Sequence, residues 1–433
     1  MRRLVLFILV VSLALSMVSV SGLAEEKTLT VWLEKSFSDD ANAFMQARIE
    51  GFGTRTGVKV TCELIAATDF VTKLNAAIEA NKDIPDVVSA DTTKTLNYYP
   101  NIPYMDVSGL VNEINADRPY FEASYSGTKI GDVHYYVPFY SSSTLMYVRK
   151  DVLEAKGITQ IPTTWEEVVD TARKVTDPAS DFYGLGMGCG ENDDDDENTW
   201  RQWMWNEDAY LFNEQGEVTA NSGKVAEMLN LYKTLYEEKV LPPDSVTWNA
   251  GGNNGSYLAG RTAIVFNAPT LYNALRNNPE NAELFSNTVV MAPPIGTKNG
   301  VYMGFARGFA IMNASKNVES AKNLIRYLVD KEWYDEYFTY SAPVFAPLFV
   351  DEVENPLWKD DAVNAEALTY AQNAKGYYGY PVDNIEGRAV ASKHYFNFPV
   401  VKMVNQVITG SETAEEAISQ TIRLIEDLQD QVR

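Results

Sequence analysis

Between Thr28 and Asp91 short strand-like runs alternate with stretches of helical apolar spacing. That alternation constrains the fold more than any other feature. TLTVWLE (Thr28 to Glu34) is rich in β-branched residues and exits into polar chain, as a strand does. DDANAFMQARIEGFGTRTG follows with helical apolar spacing, and Gly57 stands where a helix stop belongs. VKVTCELI reads as a second strand, FVTKLNAAIEA as a second helix, and DVVSAD as a third strand entered from Pro85. Strand, helix, strand, helix, strand implies a parallel sheet covered on both faces.

Further on, His134 to Gly157 reads as two extended stretches separated by a small-residue bend at Ser141 to Ser143. PTTWEEVVDTARKVTDP is a helix with Thr164 as N-cap and Glu167 three residues on, a capping box. After the acidic stretch the pattern is mostly helical, through SGKVAEMLNLYKTLYEEKV and then SYLAGRTAIVFNAPTLYNAL. TVVMAPP and GFAIMNAS form a further strand pair, and the C-terminal ETAEEAISQTIRLIEDLQDQV is an amphipathic helix. With 433 residues there is room for two or three domains.

Arg2 and Arg3 precede an apolar run from Leu4 to Val20, and the small residues Gly22 and Ala24 fit a cleavage site before Glu25. A membrane anchor is the alternative, but the run is short for one. No Cys follows it to carry a lipid. The expectation is a signal peptide over residues 1–24 and a mature protein that is secreted, periplasmic or extracellular. The net charge of −23 repels nucleic acid and anionic membranes, so neither is an expected partner. Cys62 and Cys189 could pair in an oxidising compartment or be two small buried residues.

The stretch GCGENDDDDENTWRQWMWN (Gly188 to Asn206) sets an acidic run beside Trp200, Trp203 and Trp205. Asp193, Asp195 and Glu197 alternate as in a calcium loop, but Asn198 stands where the sharp turn needs Gly and Met204 where the twelfth-position Glu belongs. A looser calcium site and a solvated acidic loop both remain open, and no metal or cofactor is expected. GLGMGCG (Gly184 to Gly190) puts Cys189 at the third glycine of a dinucleotide fingerprint. There is no P-loop, no G-x-S-x-G and no H-E-x-x-H. A secreted glycosidase needs only two carboxylates and is the remaining enzyme reading.

Segments spread over almost the whole chain carry a resemblance: LTVWLE, IPDVVSAD from Ile84, YVPFYSSSTLMYVRKDVLEAKGI from Tyr136, PTTWEEV from Pro162, LFNEQGEVTANS from Leu211, YLAGRTAIVFNAPT from Tyr257, VVMAPPIGTKNGVYMGFARGFAIMNASKNVESAKNLIRYL from Val289, and GSETAEEAI from Gly410. In this order and spacing the chain resembles the family 1 extracellular solute-binding proteins, the receptors of bacterial ABC sugar importers. Val148-Arg149-Lys150-Asp151 departs from the Asn-Lys-Asp common there, and the acidic stretch Glu191 to Glu197 is outside the family pattern.

The resemblance implies an α/β, two-lobed, periplasmic-binding-protein-like fold (type II), with two mixed sheets flanked by helices. Three hinge crossings are expected, near Tyr140 to Ser142, Gly304 to Gly308 and Tyr340 to Ala346. The N-terminal lobe would take residues 25–140 and 308–340, and the C-terminal lobe 141–307 and 341–433. It implies a non-enzymatic carrier that captures a carbohydrate, with an oligosaccharide expected, between its lobes, closes by a hinge and delivers it to permease subunits. A receptor for glycerol phosphate or another small polar solute is the alternative. Nothing suggests an oligomer, so a monomer is expected.

Loops at the carboxyl ends of parallel strands face the crevice, which selects Glu34, Lys35, Ser36 and Asp91. The resemblance points to the same places and adds Tyr140 and Ser142 at the first crossing, Asn267 with its neighbour Thr270, and Tyr302 and Gly304 at the second crossing. Arg307 and Arg388 are hydroxyl donors in that reading, with structural ion pairing as the other. Trp200, Trp203 and Trp205 are either a sugar platform of the second lobe or core. Tyr378 and Trp248 are weaker candidates.

Overall fold

The computed structural model describes residues 28–432, except 192, 221, 297–299, 305, 376–377 and the side chain of 194. The signal-peptide reading therefore lies outside the described residues. β1 (Thr28–Glu34) runs parallel to β2 (Lys59–Ile65), from Thr28 opposite Lys59 to Glu34 opposite Ile65. It also runs parallel to β3 (Val87–Asp91) on its other side. Leu29, Val31 and Leu33 of this strand are buried under the helix Asp39–Thr56, whose Ala41, Met45, Ile49 and Phe52 supply the facing stripe.

A two-strand hairpin, β4 (Lys129–Ile130) with β5 (Val133–His134), precedes β6 (Val137–Ser142). After β6 the chain leaves for a second sheet built from β7 (Leu145–Arg149), β8 (Tyr183–Gly186), β9 (Thr262–Asn267) and β10 (Thr288–Met291). It returns with β11 (Ala306–Ile311) and β12 (Phe345–Ala346). The first sheet has the order β12-β6-β11-β3-β1-β2, the second β10-β7-β9-β8, and both mix parallel with antiparallel pairs. Each sheet is flanked by helices with its own core, so the fold is the expected two-lobed α/β arrangement with mixed sheets.

The capping box forms: Glu167 N donates to Thr164 Oγ1 at 3.2 Å and Thr164 N to Glu167 Oε2 at 3.2 Å. The strand β9 corrects the helical reading of its segment. All six residues of TAIVFN are buried, so the run carries no period of two and looks like part of a buried helix. The third passage between lobes comes later than Tyr340 to Ala346. β12 still pairs with β6, and Arg118 bonds Asp351 and the buried Glu352 to keep Val350–Glu354 on the first lobe. The helix Ala362–Asn373 then packs on both sheets, against β12 and β10.

The acidic run is not a solvated loop. Asp193, Asp196 and Glu197 have no exposed surface. Asp193 caps the helix Asp194–Asn206 by accepting from Asp196 N at 3.1 Å, and Glu197 pairs with the buried Arg201. Asp196 accepts from Gly188 N at 2.7 Å; burial, then the adjoining Asp193 carboxyl, pushes it far above the usual carboxylate range. Among the described residues no group of three His, Cys, Asp or Glu is arranged to hold a metal ion. Cys62 lies on β2 of the first lobe and Cys189 in the core of the second, and both are free thiols. No helix among the described residues is long and apolar enough to cross a membrane.

Trp200 and Trp203 also leave the candidate site. Both are fully buried, Trp203 stacked on Trp165 at 4.7 Å and on Trp200 at 5.9 Å, and Trp200 Nε1 donates to Gly188 O at 2.8 Å. Replacing Trp203 with Ala should cost ~3–5 kcal/mol of stability, the range for a buried aromatic, and denaturant unfolding would read it.

His394 is fully buried and burial, with the Arg201 charge, lowers its pKa to about 3. The unfolded imidazole takes its proton near 6.5, so between about 6.5 and 3 the unfolded state binds more protons and stability falls as the pH falls. Removing this group by His394→Phe should flatten the dependence of melting temperature on pH over that window.

Candidate functional site

β1 and β3 end at Glu34 and Asp91, and β11 lies antiparallel beside β3 with Arg307 directly opposite Asp91. On its other side Arg307 is opposite Tyr140 of β6. Three adjacent strands thus set Asp91, Arg307 and Tyr140 in one row. The β11–β6 register shifts between Arg307 and Gly308, a bulge of the kind that re-aims a side chain. Gly308 is required there, since a Cβ would lie 1.8 Å from the Val137 carbonyl oxygen.

Asp91 caps the helix Thr92–Asn97, its Oδ1 accepting from Lys94 N at 2.8 Å. One turn on, Lys94 reaches back, with Nζ 2.6 Å from Glu34 Oε1 and 3.2 Å from Asp91 Oδ2. Arg307 Nη1 stands 3.7 Å from Glu34 Oε2. Two carboxylates and two cations therefore alternate and cancel. Burial by itself would raise the Asp91 pKa. The Lys94 and Arg307 charges and the Lys94 hydrogen bonds outweigh it and hold the carboxyl below its usual range. Burial pushes the Tyr140 hydroxyl up to about 12 despite the Arg307 charge, so it stays a neutral donor and acceptor. Tyr140 also stacks on Phe345 at 4.1 Å. A cavity of about 30 Å³ beside this cluster is lined by Glu34, Ser36, Tyr140 and Arg307 among others.

The second lobe faces this row with Tyr378, buried and stacked on Tyr395. Burial raises its hydroxyl pKa, and Asp91 and Arg307 are near enough to influence it. Trp205 belongs to the same cluster, with Val301, Met303, Tyr378 and Tyr395. It is the one of the three tryptophans that the fold brings to this side. At the carboxyl end of β9, Asn267 Nδ2 lies 2.8 Å from Asn253 Oδ1 and 3.4 Å from Asp195 Oδ2.

The remaining expected residues take other places. Lys35 is exposed and pairs with Asp39 at 3.0 Å. Ser36 N donates to Asn42 Oδ1 and its hydroxyl to Ser38 O, which shapes the loop after β1. Ser142 ends β6 opposite Phe345. Tyr302 stacks on Tyr370 at 4.9 Å. A Cβ on Gly304 would stand 2.9 Å from the Tyr370 ring and 3.0 Å from Ala374 Cβ, so this glycine serves the passage of the crossing strand against the helix Ala362–Asn373 rather than the approach of a ligand. Arg388 Nη1 donates to Lys129 O at 2.9 Å. Trp248 bonds Asp244 at 3.2 Å, and Thr270 begins the helix Thr270–Asn277.

Sequence reading missed Lys94. Its signal was present, a lysine three residues after a strand-ending aspartate, where one helical turn returns it to the same carboxylate. It also missed Gln202 and Asn206, which accept from Met303 N and Val301 N at 2.8 Å each and pin the second crossing to the helix Asp194–Asn206. No spacing rule connects residues about a hundred positions apart.

Two mixed α/β lobes joined by three passages, with polar side chains of both meeting at the carboxyl ends of the strands, define an interlobe solute receptor. The chain belongs to the bacterial extracellular solute-binding protein family, whose model matches residues 37–335. It resembles YcjN, a putative ABC transporter periplasmic-binding protein of Escherichia coli K12, at 21 % identity over 372 residues, 82 % of each chain. Its fold matches an ABC transporter solute-binding protein of Agrobacterium radiobacter K84 in complex with ribitol, with a TM-score of 0.73 at 21 % identity, covering 92 % of this chain and 98 % of that one. It also matches a sugar transporter of Arthrobacter chlorophenolicus A6 with bound laminaribiose, with a TM-score of 0.75 at 16 % identity, covering 92 % and 99 %. The protein is a carrier and not an enzyme.

Replacing Lys94 with Met would leave Glu34 and Asp91 buried beside a single cation. The expected cost at pH 7 is ~3–5 kcal/mol. The pH slope should also change sign around Asp91. In the wild type its depressed pKa gives stability that is full above the unfolded value of about 3.9 and lost as the pH falls. With Lys94 gone, burial raises that pKa, and acidification toward 4 should recover stability. Melting curves at pH 7, 5.5 and 4.5 would separate the two slopes.

Proposed function

We propose that the protein captures a neutral carbohydrate between its lobes and delivers it to the permease of an ABC importer. The observation that carries this reading is the alternating cluster of Glu34, Lys94, Asp91 and Arg307. A sugar hydroxyl donates one hydrogen bond and accepts others, so it can sit between a carboxylate and a cation and satisfy both. Tyr140, Tyr378 and Trp205 would add flat apolar faces for ring C–H groups. The relatives holding ribitol and laminaribiose support the same ligand class. Glycerol phosphate fits less well, because its phosphate would meet Glu34 and Asp91 and compete with them for Lys94 and Arg307. Asn267, with Asn253 and Asp195, would offer further hydroxyl partners from the second lobe. Export with cleavage after Ala24 and action as a monomer complete the proposal.

A thermal-shift screen of residues 25–433 against mono- and oligosaccharides, polyols and glycerol phosphates tests it. A ligand at ~100 times its dissociation constant adds roughly 2.7 kcal/mol, a visible rise in melting temperature. The expected result is a rise with one carbohydrate series and no product formed. A rise with glycerol phosphates alone would overturn the sugar reading. Asp91→Ala should then weaken binding of the active sugar by ~1.5–3 kcal/mol in calorimetry, and unchanged affinity would remove Asp91 from the site.

A further inference from the structure

The helix Ile385–Tyr395 belongs to the second lobe, where it packs on the C-terminal helix Ala414–Val432 and buries Ala389, Val390 and Ala391. The same apolar cluster contains Leu96 and Ile130 of the first lobe, so this helix spans the seam between the lobes. Three of its side chains donate across the seam. Arg388 Nη1 reaches Lys129 O at 2.9 Å, Ser392 Oγ reaches Thr93 O at 2.6 Å, and Lys393 Nζ reaches Asn97 O at 2.6 Å.

All three acceptors are main-chain carbonyls, which first-lobe side-chain changes leave in place. Two of them belong to the short helix Thr92–Asn97, and Asn97 O lies at its carboxyl end, where unpaired carbonyls favour a cation. The opposite end of that helix is capped by Asp91, and its middle carries Lys94. Two of the carbonyls bonded from the second lobe, and Lys94 of the charge cluster, are thus on one six-residue helix that Asp91 caps. Neither Ser392 nor Lys393 bonds Glu34, Asp91 or Arg307 among the described contacts.

We propose that Ser392 and Lys393, assisted by Arg388, are positioning residues that clasp the helix Thr92–Asn97 from the second lobe, holding the closed form and setting how long ligand stays bound. The clasp exists only while the lobes are together. It adds to the free energy of the closed form without adding to contacts with the ligand. Its loss should therefore appear in the dissociation rate, with association little changed. The residence-time part rests on the sugar-receptor reading, whereas the clasp itself does not.

The test compares the wild type with Ser392→Ala/Lys393→Met and with Lys393→Arg, which keeps a donor. X-ray scattering of the ligand-free proteins reads closure directly, and stopped-flow binding of the sugar found in the screen reads residence. The double variant should have a larger radius of gyration than the wild type and release ligand about tenfold faster. Lys393→Arg should stay close to the wild type in both. Identical scattering from the wild type and the double variant overturns the clasp, whether or not a sugar has been found. A looser double variant that releases ligand at the wild-type rate overturns its role in binding. A looser double variant alongside a wild type that binds no sugar upholds the clasp and overturns the ligand reading. Thermal unfolding of the ligand-free variants checks that each is folded.

Discussion

The structure depends on the insertion of β11 between β3 and β6. The first lobe cannot complete its sheet until the chain has gone out, built the second sheet and come back. Two of the passages between lobes are consequently neighbours, one leaving after Ser142 and one arriving before Ala306. Adjacent strands crossing at one place make a hinge, because a small backbone rotation there moves a whole lobe. The same insertion brings Arg307 between Asp91 and Tyr140. The bulge at Gly308, forced by close approach to Val137 O, is the local price of that placement.

Around that row the electrostatics are self-contained. Isolated carboxylates as buried as Glu34 and Asp91 would be costly. Lys94 lies against both, and Arg307 approaches Glu34 from β11. The overall charge of −23 therefore says little about the site, whose own charges cancel. The helix Thr92–Asn97 is the mechanical link. It is capped by Asp91, carries Lys94, and meets the second lobe at both Thr93 O and Asn97 O.

Much of the fold was legible where one face of an element is buried and the other wet. β2, the helix Ala67–Ala80 and the C-terminal amphipathic helix show such a period, whereas β3, buried on both faces, was legible from its β-branched residues and the Pro85 before it. β9 was missed because it is buried on both faces and, unlike β3, has no proline ahead of it to break it from the helical spacing of SYLAGR. The acidic run misled for a related reason. Five consecutive acidic residues read as a solvated loop, yet Asp193 serves as a helix cap, Glu197 as an ion-pair partner, and Asp196 is pushed toward its neutral form. Trp200 and Trp203 sit one helical turn apart and face inward; Trp205, on another face, joins the cluster beside Tyr378.

The sequence by itself determined the α/β class and the ends of β1 and β3, and with them Glu34 and Asp91 as strand-ending carboxylates. Those features are written in local periodicity and in the rule that the carboxyl ends of parallel strands open outward. The partnership of Lys94 with Glu34, of Arg307 with Asp91, and of Ser392 and Lys393 with the helix Thr92–Asn97 was decided only by the tertiary structure. These pairs lie up to about three hundred positions apart, and charge and hydrogen-bond chemistry act through distance in space. Sequence spacing carries no record of that distance until the chain has folded.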